Sequence, residues 1–209
     1  MKIAIFGSTG GTGQHLVEQA LQRGHQVIAF ARSPEKIGAS GDDLTIIQGD
    51  ARDPENVEQA VAHAEAVISA LGPTENKPTF TVTESTENIL AAMQKYGVDR
   101  LVISAGAGVG DPKDEPKLFN KLINLLLKLF SRWVYEDMKR TVETVRASDV
   151  HWTIVRVPML TDDQPKGEVQ YGYVGKGMNA RITRADMASA MLDLVESDDY
   201  MHQAPAISN

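Results

Sequence analysis

The sequence predicts an α/β protein with a doubly wound parallel sheet, on three observations. Short, nearly all-apolar runs recur along the chain, and stretches with helical periodicity separate them. The first run ends in a glycine-rich turn that passes directly into a helical pattern. The candidate strands are Lys2–Phe6, Gln26–Ala31, Leu44–Gln48, Ala66–Ala70, Leu101–Ser104 and Trp152–Arg156. Each is bounded by Gly, Asp or Pro, and nearly every residue in it is apolar. Strands covered on both faces have this pattern, as in a parallel sheet. The helical stretches between them are Gly13–Arg23, Glu55–Ala64, Thr81–Tyr96, Glu136–Ala147 and Ala185–Glu196. Asp53 followed by Pro54 is a helix start with its cap and its first-turn proline. Asp99 and Asp149 fall in short loops that lead into the fifth and sixth strands. Residues 161–180 carry Gly, Pro, Asp and Lys with little periodicity and read as a loop or small excursion over the site. With no linker, repeat or low-complexity tract, the strand–helix alternation forms a single domain over residues 1–209.

Composition narrows the function classes. A chain of 209 residues with 42% hydrophobic and 23% charged content supports one full core. The net charge of −7 disfavours a nucleic-acid partner. The absence of cysteine excludes disulfides, thiolate metal ligands and a thiol nucleophile. The histidines at 15, 25, 63, 151 and 202 show no pair at ligand spacing, so no built-in metal site is expected. No apolar stretch reaches membrane-spanning length and no signal peptide fits, which gives the expectation of a cytoplasmic protein.

The turn Gly7-Ser8-Thr9-Gly10-Gly11-Thr12-Gly13 stands between a strand and a helix. Gly7 allows the tight turn, Gly10 lets the backbone approach a pyrophosphate, and Gly13 lets the helix pack close to the strand. The N–H groups of this cradle, over Thr9, Gly10, Gly11 and Thr12, then face an anion at the positive helix end. The alternative is an ordinary glycine-rich turn of an α/β protein. The second strand runs into Arg32-Ser33-Pro34-Glu35-Lys36 with no acidic residue before Arg32. A carboxylate here would suit the ribose 2′-hydroxyl of NAD, whereas an arginine suits the 2′-phosphate of NADP. NADP(H) is therefore the expected cofactor, with Arg32 and Ser33 as donors; the alternative is a solvated surface arginine. Asp50, beside Ala51 after the third strand, either accepts from an adenine amino group or caps the next turn. Ala70, Leu71 and Gly72 after the fourth strand let the backbone run beside the cofactor ribose.

Three further features concern the chemistry. Ser104 ends the fifth strand, where its hydroxyl either meets a substrate carbonyl or the nicotinamide amide, or satisfies local backbone. Tyr135 and Lys139 stand at Tyr-x-x-x-Lys spacing, with Glu143 four residues on, and share one helix face. A lysine ammonium beside a phenol lowers its pKa, and the phenol then passes a proton to a carbonyl receiving hydride. The alternative is that Tyr135 is an aromatic core residue. Met159 and Leu160 after the sixth strand either wall a pocket for a flat ligand or bury in a chain turn.

The glycine motif, Gly49-Asp50, Ile103-Ser104-Ala105, Trp152-Thr153-Ile154-Val155-Arg156 and Ile182-Thr183-Arg184-Ala185-Asp186-Met187-Ala188 together resemble the atypical short-chain dehydrogenase/reductase group. Within it the chain is similar to the NAD(P)H-binding proteins around biliverdin reductase B, also called flavin reductase, over nearly its whole length. The resemblance implies a Rossmann-type NADP-binding fold with a shallow site for flavins or tetrapyrroles. It implies that Arg32 holds the 2′-phosphate, that Ser104 lies beside the nicotinamide, and that the backbone at Pro158 lies against the carboxamide. The Tyr135/Lys139 spacing resembles the Tyr/Lys pair of the wider superfamily. The chain departs from its branch at Met138, where that branch carries a histidine.

The function expected is hydride transfer from NADPH to a flat conjugated acceptor such as a flavin, tetrapyrrole or quinone. One alternative is a non-catalytic NADP(H) redox sensor; another is an extended-type carbonyl or sugar-nucleotide reductase using Ser104, Tyr135 and Lys139. Residues 117–134 form a basic amphipathic pattern, with Lys117, Lys121, Asn124, Lys128 and Arg132 recurring at helical spacing. It reads as a lid in which Phe119, Leu122, Phe130 and Trp133 shape a pocket, as core or dimer surface of a monomer or homodimer, or as an anionic-membrane contact. The acidity of the chain weighs against the last.

Overall fold

The computed structural model describes residues 1–118, 125–126 and 129–209. Six parallel strands form the centre: β1 (Lys2–Phe6), β2 (Gln26–Ala31), β3 (Leu44–Gln48), β4 (Ala66–Ser69), β5 (Arg100–Gly106) and β6 (His151–Val157). Their order is β3-β2-β1-β4-β5-β6, so the chain doubles back between β1 and β4. Two short strands extend the β6 edge: β10 (Ala206–Ser208) runs parallel to β6, and β8 (Gln170–Gly172) antiparallel to β10. A separate two-stranded parallel sheet pairs β7 (Met159–Thr161) with β9 (Arg181–Thr183).

Alternation along β1 divides the core. Ile3 and Ile5 face one side, with Leu16, Met187 and Leu192 from α1 (Gly11–Gln22) and α5 (Arg184–Glu196). Ala4 and Phe6 face the other, with Val57, Ile89 and Val142 from α2 (Pro54–Val61), α3 (Thr81–Tyr96) and α4 (Arg132–Arg146). Helices therefore cover both faces, which accounts for strands that read as unbroken apolar runs.

The central elements agree with the sequence reading within a few residues; β5 and β6 are longer, because pairing continues from Arg100↔His151 to Gly106↔Val157. The segment 161–180, expected as a loop or small excursion, holds more regular structure than its composition suggested. Strand β8 lies inside it, and β10 near the chain's end was not anticipated. Three-residue strands carry no period to read; they form because neighbours hold them. Arg156 is wholly buried at the end of β6 and holds Asp114 through a two-pronged ion pair of 2.6 and 2.8 Å. Asp114 also accepts from the backbone N–H of Val174, just past β8, at 2.9 Å. Burial pushes the Asp114 carboxyl up, but the hydrogen bonds and charge of Arg156 together with the N–H groups of Val174 and Asp111 outweigh it and hold the group below its usual range.

Within 117–134, Phe119, Lys121, Leu122, Asn124 and Lys128 lie outside the described residues. Leu118, Leu125, Leu126, Leu129 and Phe130 are exposed, Phe130 by 76%. Trp133 begins α4 and meets the Phe80 ring edge-on, with centroids 6.1 Å apart.

The start of α3 is satisfied from a distant helix. Its N-cap residue is Phe80, in the left-handed region at φ 47°, with no acceptor on its side chain. The buried Asp137 of α4 supplies one instead. Its carboxylate accepts from the backbone N–H of Val82 at 3.2 Å and of Thr83 at 2.9 Å, and from the Thr83 hydroxyl at 2.7 Å. This fixes the first turn of α3, which walls the cleft described next.

Candidate functional site

The site forms where the strand order reverses, at the carboxyl ends of β1 and β4. Gly7 has φ +81°, and a Cβ on it would stand 2.9 Å from the Ala70 carbonyl carbon and oxygen. A Cβ on Gly13 would stand 1.9 Å from the Gly7 oxygen. Both positions exclude any side chain, because the opposing atoms are backbone. Ser8 faces inward and donates to the Phe30 carbonyl at 2.8 Å, tying the turn to the end of β2. The Thr12 hydroxyl is also turned inward, 3.6 Å from the Met187 sulfur.

This turn leaves the start of α1 electrostatically open. The first intrahelical bond is from the Gln14 N–H to the Gly10 carbonyl, at 2.9 Å. The N–H groups of Gly11, Thr12 and Gly13 precede it. Gly10 at the N-cap has no side chain to accept from them, and the first turn holds no acidic residue. Three other helices are capped by Asp53 (α2), Asp137 (α3) and Thr183 (α5), and at α4, where Ser131 makes no cap bond, Asn76 accepts from the Trp133 N–H at 3.0 Å.

A cleft of about 430 Å³ opens in front of this helix end. It gathers Gly7, Thr9 and Gly10 from the turn, Arg32 beyond β2, Asp50 and Ala51 beyond β3, and Ala70, Leu71 and Gly72 beyond β4. Thr81, Val82 and Ser85 from the first turns of α3 form the facing wall. Gly11, Thr12, Gly13 and Ser33 are not part of its lining, nor are Ser104, Tyr135, Lys139 and Pro158. Ser104 is half-buried on β5 opposite Val155 of β6, and Pro158 is half-buried between β6 and β7. Tyr135 is half-buried in the first turn of α4. Lys139 is exposed one turn later, where its ammonium lies 3.7 Å from the Glu143 carboxylate. Met138 between them is buried.

Arg52, which lines the cleft beside Asp50, was not singled out in the sequence. Asp50 accepts from the Arg52 backbone N–H and Nε at 3.0 Å each, and from Nη2 at 2.5 Å. The turn reading of Asp50 is thus realised, and its carboxylate also grips the arginine two residues on. Those side-chain hydrogen bonds from Arg52 hold the Asp50 carboxyl down at about 2, against the opposing effect of burial, and the charge of Arg32 adds to them. The signal in the sequence was the Asp-x-Arg spacing, since a carboxylate that accepts from the N–H two residues on brings that residue's side chain near.

At the start of α5, Thr183 caps the helix and pairs with Asp186. The Asp186 N–H donates to the Thr183 hydroxyl at 3.1 Å, and that hydroxyl donates to the Asp186 carboxylate at 2.7 Å. Asp186 also accepts from the N–H groups of Lys166 and Gly167 at 2.9 and 3.0 Å, and from the side-chain amide of Asn209. Burial raises the Asp186 carboxyl, and these donors more than offset it, leaving the group below its usual range. The Thr-Arg-Ala-Asp stretch is therefore an anchor for the 162–168 segment. Among the described residues no helix is long and apolar enough to cross a membrane, and no cluster of His, Asp and Glu is arranged to hold a metal ion.

A glycine cradle before an uncapped helix, at the switch point of a 3-2-1-4-5-6 parallel sheet, defines a Rossmann-type dinucleotide-binding protein. The chain belongs to the NAD(P)H-binding family, which it matches over residues 7–198. It is 31% identical to an uncharacterized chloroplastic protein of Arabidopsis thaliana over 80% of this chain, and spans 62% of that relative's length. It is 24% identical to the oxidoreductase aflX of Aspergillus parasiticus, over 99% of this chain and 82% of the relative. A short-chain dehydrogenase/reductase from Veillonella parvula, solved in complex with NADP, superposes with a TM-score of 0.82 at 19% identity, covering 100% of this chain and 94% of that one. ChuY, an anaerobilin reductase from Escherichia coli O157:H7, superposes with a TM-score of 0.80 at 20% identity, covering 100% and 97%. The fold is that of the short-chain dehydrogenase/reductase group, and the family is one of NAD(P)H-dependent oxidoreductases.

Proposed function

We propose that the protein is an NADPH-dependent reductase that delivers hydride to a flat conjugated acceptor: a flavin, a biliverdin-like tetrapyrrole or a quinone. The uncapped start of α1, set against a cleft that ends in two arginines, carries this reading. The residues fit the cofactor. Gly7 and Gly13 leave no room for a Cβ, which keeps the turn tight, and the uncapped N–H groups at the start of α1 would meet a pyrophosphate. Arg32 and Arg52 flank Asp50, whose oxygens are already engaged by Arg52, which favours a phosphate over a bare ribose hydroxyl at that end. Ser33 adds a donor there, and Ala70 to Gly72 back the ribose.

When bound, the nicotinamide supplies the hydride. Ser104, two residues before the end of β5, and the backbone of Pro158, just past β6, would hold the carboxamide. The absence of a titratable group at Met138 favours an acceptor that takes its proton from water. The protein then contributes mainly proximity and orientation.

The test is NADPH oxidation screened against FMN, biliverdin, quinones and simple carbonyls. Turnover with the flat acceptors, retained in Tyr135→Phe, supports the proposal. Tight NADPH binding without turnover on any acceptor assigns a redox sensor instead. Carbonyl reduction that collapses in Tyr135→Phe assigns the Ser104, Tyr135 and Lys139 chemistry.

A further inference from the structure

We infer that Arg184 is a second phosphate-binding residue of this site, clamping the cofactor's pyrophosphate while Arg32 holds the 2′-phosphate; this rests on the NADP(H) reading above. Arg184 is the first residue of α5, yet its side chain crosses the start of α1. A Cβ built on Gly11 would stand 2.7 Å from both Arg184 Cδ and Nε. Gly11 has an ordinary backbone conformation, with no positive φ. What a side chain at Gly11 would meet is the arginine, which would have to move aside, and not the turn.

The placement is costly unless an anion is nearby. A cation is disfavoured at the positive end of a helix, and Arg184 sits at two such ends, in the first turn of α5 and against the first turn of α1. The start of α5 is already satisfied by Thr183 and Asp186, so Arg184 is not needed there. The start of α1 has no capping carboxylate to offset the charge. The anionic partner of Arg184 is Asp162, at 3.2 Å through one nitrogen, with a side chain 84% exposed. So exposed a pair contributes little. Arg184 itself is 29% exposed and adjoins the turn whose Thr9 and Gly10 line the cleft. A pyrophosphate lying across Gly10 and Gly11 brings its oxygens to both the α1 N–H groups and the guanidinium. Arg184 then exchanges a weak, solvated carboxylate for a less exposed diphosphate.

Two ligands separate the two arginines. Adenosine 2′-monophosphate carries only the group read by Arg32, and 2′-phospho-ADP-ribose adds the pyrophosphate. Binding of each is measured by titration calorimetry to wild type, Arg184→Ala, Arg184→Lys and Asp162→Asn, with unliganded thermal midpoints as a check on folding. The expected result is a loss of about tenfold or more for 2′-phospho-ADP-ribose in Arg184→Ala, with adenosine 2′-monophosphate within about twofold of wild type. Arg184→Lys recovers part of the loss, and Asp162→Asn binds the pyrophosphate ligand more tightly than wild type. Undiminished binding of 2′-phospho-ADP-ribose by Arg184→Ala overturns the inference, as does an equal loss for both ligands, which would mark a structural role. If wild type binds neither ligand, the cofactor reading itself fails.

Discussion

Asp137 shows how one side chain couples the stability of the fold to the cleft. Replacing it with alanine removes the acceptor for the Val82 and Thr83 N–H groups, at 3.2 and 2.9 Å, while the Thr83 hydroxyl keeps the backbone carbonyl of residue 137 at 3.1 Å. Val82 and Thr83 are buried, so water replaces these bonds poorly, and Phe80 has no side-chain oxygen to take over. Each buried donor left without a partner costs about 1–3 kcal/mol, and loss of a helix cap typically about 1 kcal/mol. Asp137→Ala should therefore destabilise the protein by about 3–5 kcal/mol. For a chain of this size that lowers the midpoint of thermal unfolding by roughly 10 °C. Asp137→Asn keeps one acceptor oxygen and turns an NH₂ towards the other donors, so roughly half the loss is expected. Urea unfolding followed by circular dichroism gives both values. The first turn of α3 also walls the cleft, so cofactor affinity should fall alongside stability. A loss below about 1 kcal/mol in Asp137→Ala would refute the reasoning, since it would mean that the α3 donors find other acceptors at little cost.

Four other outcomes follow from the geometry. Arg32→Ala should weaken NADPH binding by about 10- to 100-fold, the worth of one charge-assisted fork, and leave NADH affinity nearly unchanged; equal effects on the two would remove Arg32 from the 2′-phosphate. Gly13→Ala sets a methyl group 1.9 Å from a backbone oxygen with no flexible side chain to yield, so cofactor binding should be abolished and stability reduced by several kcal/mol; near-native melting and calorimetry would contradict this. Asp50 has a folded pKa of about 2, below its ordinary value, so the stability it contributes is present above about pH 4 and is lost as pH falls towards 2. Its side chain is 35% exposed, which makes that contribution modest; in Asp50→Asn the acid limb of the stability curve should flatten over that window, and an unchanged limb counts against the Arg52 pairing. Tyr135→Phe should retain most reductase activity towards flavins, and a loss of about a hundredfold or more would restore the phenol as the proton donor.

The legible parts of the chain are those whose cause is local. Lys2–Phe6, Gln26–Ala31 and Leu44–Gln48 form the expected strands because an unbroken apolar run between turn residues has few other uses in a domain of this size. The glycines at 7 and 13 declare themselves because backbone, rather than a mobile side chain, excludes a Cβ. What escaped the sequence reading acts over distance. Asp137 caps a helix 54 and 55 residues away in the chain. Arg156 reaches back 42 residues to Asp114 and so secures the neighbourhood of β8. Arg184 meets Gly11 only because α1 and α5 share a face of the sheet. Tyr135, Lys139 and Glu143 stand on one helix face as their spacing required, with the lysine ammonium 3.7 Å from the Glu143 carboxylate.

Taken alone, the sequence determined the alternation of strand and helix, the glycine turn, and the arginine where an acidic residue would suit NAD. Backbone conformation and side-chain periodicity are set within a few residues, so they can be read there. The tertiary structure alone decided how the start of α3 is closed. The starts of α2 and α5 are closed by their own residues, and that of α3 by a carboxylate from α4, while α1 remains open at the cleft. That allocation of hydrogen-bond acceptors depends on which elements pack together, a property of the folded chain rather than of any segment of it.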